Sequence, residues 1–87
     1  MDVIEKIGTY LSRMNITVQQ AEKDMGASNG TLARPIKKGT SIKVDTLEKF
    51  LTVNDDLNPN WLFSPVGDKT HKMLKSEVER EKPYVKQ

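Results

Sequence analysis

The stretch from Thr17 to Gly39, TVQQAEKDMGASNGTLARPIKKG, constrains the fold most, because it holds two short helical patterns split by a glycine and ending in paired lysines. Thr17 suits a helix N-cap, and Val18, Ala21 and Met25 follow at helical spacing, so a short helix can turn one apolar stripe inward. Gly26 ends that pattern. Ser28 offers a hydroxyl to cap a second helix, in which Leu32 and Ile36, four apart, form a single inward face. Asn29, Gly30, Thr31, Arg34, Lys37 and Lys38 are left to project away from the core. Pro35 interrupts this helix. It cannot donate to the Thr31 carbonyl and its ring disfavours helix at Arg34, which predicts a kink or a stop near Ala33.

The flanking sequence supplies further helices. Asp2 can cap a first one, from Val3 to about Met14, with an inward stripe of Val3, Ile4, Ile7, Tyr10, Leu11 and Met14. After the polar link Thr40-Ser41, Val44, Leu47, Phe50 and Leu51 mark a fourth helix ending near Val53, and Asn54-Asp55-Asp56 reads as a loop. Asn58 can cap a short final turn with Pro59 at its first position, where a missing N–H costs nothing. Trp61 and Leu62 then fold back on the first and fourth helices, with Trp61 as a lid on the core. Beyond Gly67, Met73, Leu74 and Val78 can line a helix from about Thr70 to Lys82, with Lys75 and Glu79 spaced to pair and Pro83 to stop it. That stripe is thin, so the tail needs a partner surface or is mobile. The expected fold is all-α: a bundle of about five helices over residues 1–68, and a basic tail over 69–87, helical or mobile.

Composition narrows the function. A chain of 87 residues makes one small domain, and the absence of cysteine removes disulfides and thiolate metal sites, which fits a reducing cytoplasm. No apolar run approaches the roughly 18 residues that span a bilayer, and MDVIEKIG reads as an amphipathic helix rather than a leader. A cytoplasmic protein with no membrane contact is expected. His71 is the lone histidine, and the adjacent Asp55 and Asp56 lack a phosphate loop, metal-ligand cluster or nucleophile to work with. No enzyme activity, cofactor, metal or small-molecule ligand is expected. Net charge is only +2, but Arg34, Lys37, Lys38 and Lys43 stand with no acidic residue among them, a local basic face.

From Thr17 to Gly39 the chain resembles the lambda-repressor-like (Cro/CI, XRE-type) helix-turn-helix family, particularly its small phage-repressor-like members. The likeness covers roughly residues 2 to 67. Gly26 matches the turn glycine, Met25, Leu32 and Ile36 match apolar core positions, and Lys38-Gly39 resembles the close of the recognition helix. Asn58-Pro59-Asn60-Trp61-Leu62 resembles the NPxWL segment that often follows the fourth helix, with a glycine turn after it. The chain departs from the pattern at Glu22, where many members carry alanine, and at Pro35.

The resemblance implies sequence-specific binding of double-stranded DNA by a homodimer on paired half-sites, as a phage- or mobile-element-type regulator, a repressor rather than an activator. The first turn of the third helix would enter the major groove. There an Asn29 amide can read adenine, Ser28 and Thr31 can reach base edges or phosphate, and Gly30 allows close backbone approach. Arg34 suits guanine or phosphate, Lys37, Lys38 and Lys43 suit phosphates, and Gln19 and Gln20 can donate to a phosphate from the second helix. The alternative is an adaptor or inhibitor on the same fold that has lost DNA binding, which would show no salt-dependent affinity for duplex.

Overall fold

The structure is a computed structural model that describes residues 2–65 and 69–81, and these residues hold six helices and no strand. They are α1 (Val3–Arg13), α2 (Val18–Asp24), α3 (Ala33–Lys38), α4 (Val44–Val53), α5 (Pro59–Leu62) and α6 (Lys75–Glu81). The expected all-helical class is observed, with six helices rather than about five. The sixth lies in the segment read as a tail.

α1 starts where a capping box puts it. The Asp2 carboxylate accepts the Glu5 N–H at 3.0 Å, and the Glu5 carboxylate accepts the Asp2 N–H at 3.1 Å. The helix buries Ile4, Ile7, Tyr10 and Leu11 along one stripe and packs against α2, α3 and α5. Met14 caps its end and is 39% exposed, so the stripe closes one turn earlier than its spacing suggests. Ala21, Met25, Leu32, Phe50, Leu57 and Leu62 complete most of the core. Tyr10 meets Phe50 edge-on at 6.0 Å between ring centroids and donates its hydroxyl to Asn54 Oδ1 at 3.3 Å. Val44, expected on the inward face of α4, is 71% exposed. It is the first residue of that helix, and Leu47, Phe50 and Leu51 carry the packing.

α5 is capped as anticipated, with Asn58 accepting from the Asn60 N–H and Pro59 in the first turn. The lid, however, is only partial. Trp61 is half-buried, Leu62 is fully buried, and Phe63 stays 54% exposed. Lys6 covers part of the indole: it is 4% exposed and its ammonium lies 5.4 Å from the ring centroid.

Part of the tail belongs to the core. Leu57 and Leu74 form an antiparallel bridge, in which the Asn58 N–H donates to the Met73 carbonyl at 2.8 Å and the Lys75 N–H to the Asp56 carbonyl at 2.7 Å. Leu74 is 8% exposed, so the tail finds its partner surface within the chain's own core. This pairing holds the chain extended up to Leu74, which is why α6 begins at Lys75 rather than near Thr70. The Asp56 carboxylate then caps α6, accepting from the Ser76 N–H at 3.0 Å and its hydroxyl at 2.7 Å. An ion pair between Arg13 and Glu77 ties α6 to α1. The Gly67 turn, the Lys75–Glu79 pairing and the stop at Pro83 lie outside the residues or side chains described.

Candidate nucleic-acid interface

Thr17 caps α2 by accepting the Gln20 N–H at 3.0 Å, and the helix leaves Gln19 and Gln20 exposed. Gln20 is engaged within its own helix, donating its amide to Asp24 Oδ1 at 2.8 Å. Ala21 and Glu22 form the buried face.

The segment that follows is not the helix expected from Ser28 onward. Residues 28–32 are a turn, and α3 begins at Ala33 with Leu32 at its cap and no side-chain cap of its own. Glu22 supplies what Ser28 was expected to supply. Its Oε2 accepts the backbone N–H groups of Gly30 at 3.0 Å, Leu32 at 2.7 Å and Ala33 at 2.9 Å, while the residue is only 1% exposed. Burial pushes the Glu22 carboxyl up. The N–H bonds from Ala33, Leu32 and Gly30 outweigh it and hold the group below the usual carboxylate range. At this position, where a small residue suits close helix packing, the carboxylate is therefore an inter-helix cap.

Pro35 neither kinks nor ends α3. It is the third residue of the helix, so its ring lies in the first turn rather than the interior, and the bonds on either side, from the Arg34 N–H to the Gly30 carbonyl at 3.1 Å and from the Ile36 N–H to the Leu32 carbonyl at 3.0 Å, still form. The helix runs on through Lys37 and Lys38 to Gly39, whose left-handed φ of 70° and N–H bond to the Pro35 carbonyl at 2.7 Å close it.

Ser28, Asn29, Arg34, Lys37, Lys38 and Lys43 are exposed, and Gly30 and Thr31 half-buried. A hollow of about 480 Å³ brings Gly30, Thr31 and Arg34 together with Lys43 at the start of α4. A smaller one of about 260 Å³ joins Ser28 and Thr31 to Thr46 and Lys49. Lys37 and Lys38 border a different groove, against Gly8, Thr9 and Ser12 of α1. Asn29, Gln19 and Gln20 stand outside these three hollows. Lys49 was missed because α4 was read for its apolar stripe alone, whereas Asp45 and Lys49, four apart, mark the edge that faces the turn. Asp45, whose carboxylate accepts the Thr46 N–H at 2.9 Å, sits at the mouth of the larger hollow and places one negative charge beside Lys43.

Gly30 has a φ of +94°, and a Cβ there would lie 3.0 Å from Arg34 Nε. The glycine thus permits the turn and leaves room for the arginine stem. Among the described residues no three His, Cys, Asp or Glu side chains group as a metal site, and no helix is long and apolar enough to cross a membrane. No family model, curated protein or solved structure matches the chain.

Proposed function

We propose that the chain is a helix-turn-helix domain that binds specific double-stranded DNA, with α2 and α3 as the two helices and residues 28–38 as the reading element. It would act as a homodimer on paired half-sites, in a transcriptional regulator of phage or mobile-element type, a repressor rather than an activator. One observation carries the reading. Over residues 27–44 the chain has no carboxylate, and it exposes Ser28, Asn29, Arg34, Lys37, Lys38 and Lys43 on and around a short helix whose Ile36 packs against the core. Amide and hydroxyl groups near the helix start suit base edges, and basic groups on either side of the helix suit the phosphates flanking a groove.

Titration of the chain with a duplex selected from a random pool, and with random duplex, tests this. Asn29→Ala or Thr31→Ala should weaken the selected duplex by about 1 to 3 kcal/mol and leave random duplex nearly unchanged. Lys37→Ala or Lys38→Ala should weaken both alike and lower the salt slope by about one unit, because a phosphate contact releases a counterion whatever the sequence. If all four variants bind both duplexes like the parent, the assignment fails. Absence of duplex binding by the parent at moderate salt would favour the protein-interaction reading instead.

A further inference from the structure

The turn before α3 holds little structure of its own. Within it, the Thr31 N–H reaches the Ser28 carbonyl at 3.2 Å, and the next backbone bond, from Arg34 to Gly30 at 3.1 Å, already belongs to the start of the helix. What fixes residues 30–33 comes from outside, as three N–H groups that converge on one carboxylate oxygen of α2. Two of those anchors, Gly30 and Leu32, flank Thr31, and Gly30 directly follows Asn29. The side chains assigned to base reading therefore spring from the backbone that Glu22 pins. Gly30 also underlies the stem of Arg34, so the same anchor governs where that guanidinium starts.

We propose that Glu22 is the positioning residue for sequence discrimination: its buried carboxylate holds the 28–33 backbone in the arrangement that presents Asn29, Thr31 and Arg34 together. This rests on the DNA-binding reading above. Geometry favours a carboxylate here because one oxygen can accept several N–H donors that converge from the start of a helix. The second oxygen, Oε1, is buried with no hydrogen-bond partner among the described residues. A purely electrostatic role is the competing account, and it makes the opposite prediction. A negative charge beneath a phosphate-binding face repels every duplex equally, so neutralising it would raise affinity for all sequences.

The experiment compares Glu22→Ala, Glu22→Asp and Glu22→Gln in the full chain, at a temperature where circular dichroism shows each folded. Affinities for the selected and the random duplex are measured side by side, with amide exchange in the free protein. Glu22→Gln keeps an acceptor oxygen at the same reach and should hold the selected-to-random ratio within about threefold of the parent. Glu22→Asp keeps the charge but withdraws it by one methylene, and should cut the ratio about tenfold or more while random binding stays within about twofold. Glu22→Ala should do the same if it folds. In both, the Gly30, Leu32 and Ala33 amides should lose protection while those of α1 keep theirs.

A ratio unchanged in Glu22→Asp, or affinities that rise equally for both duplexes in Glu22→Gln, overturns the positioning role and leaves DNA binding standing. A parent that binds no duplex overturns the DNA reading. Unchanged amide protection in Glu22→Asp would then also deny Glu22 its hold on the turn.

Discussion

Lys6 takes a charged group into a position that is 4% exposed and engages all three of its ammonium protons. They go to the Trp61 carbonyl at 2.8 Å, the Ser64 carbonyl at 2.8 Å and the Ser64 hydroxyl at 2.9 Å. These acceptors lie at the C-terminal end of α5, in its last turn and just beyond it, where a cation meets the negative end of the peptide dipoles, so the lysine caps that end from another helix. Lys6→Met should keep the stem packing, remove the charge-assisted bonds to Trp61 and Ser64 and destabilise the chain by about 2 to 3 kcal/mol in urea unfolding. A midpoint that does not move would mean water replaces the ammonium. Glu22 predicts a pH dependence. Its folded pKa lies below the ordinary 4.5, so its contribution is complete above that value and is lost as pH falls through the folded pKa. Melting temperature should decline as pH falls below 4.5, and less steeply in Glu22→Gln. Tyr10 acts at the other extreme: burial first, then Asp56 and Asp55, hold its phenol above 10.0. The unfolded chain ionises first there, and stability should fall as pH rises past that value, a loss that Tyr10→Phe removes.

At the level of elements, the separation between what could and could not be read from sequence follows the reach of each interaction. The caps by Asp2, by Thr17 and by Asn58 with Pro59 were legible because donor and acceptor lie within three residues. The caps of α3 and α6 were not. Glu22 acts across a turn and Asp56 acts 20 residues ahead of Ser76, so neither leaves a local pattern, and Glu22 reads from sequence only as a charge where a small residue was expected. The membership of the candidate interface was legible as residue types, but its division between two sides of α3 was not, because that depends on where α1 and α4 pack. Pro35 offers a direct check on α3. A proline forcing a kink would make Pro35→Ala stabilising by about 3 kcal/mol, whereas in the first turn the change should stay within about 1 kcal/mol, toward lower stability. Thermal unfolding of the variant distinguishes these outcomes.

For the molecule as a whole, the docking of residues 72–77 against 56–58 adds a late segment to the core. Leu74→Ala should cost about 2 to 5 kcal/mol and keep a single cooperative transition, since Leu57 and Asn58 lose their cover but α1 to α5 keep theirs. Circular dichroism and Trp61 fluorescence followed in one urea titration would check both points, and a variant as stable as the parent would place the tail outside the cooperative unit. The positions of α1's partners also bear on how the chain is made. Lys6 waits for acceptors 55 and 58 residues further on, and Arg13 for a carboxylate 64 residues further on. At roughly 5 to 20 residues per second, a ribosome exposes α1 for several seconds before those partners exist. During that interval α2 and α3 can already pack against α1, whereas Lys6 and Arg13 still lack their acceptors. Of the helices described, α1 precedes the rest and completes its bonds only when α5 and α6 have followed.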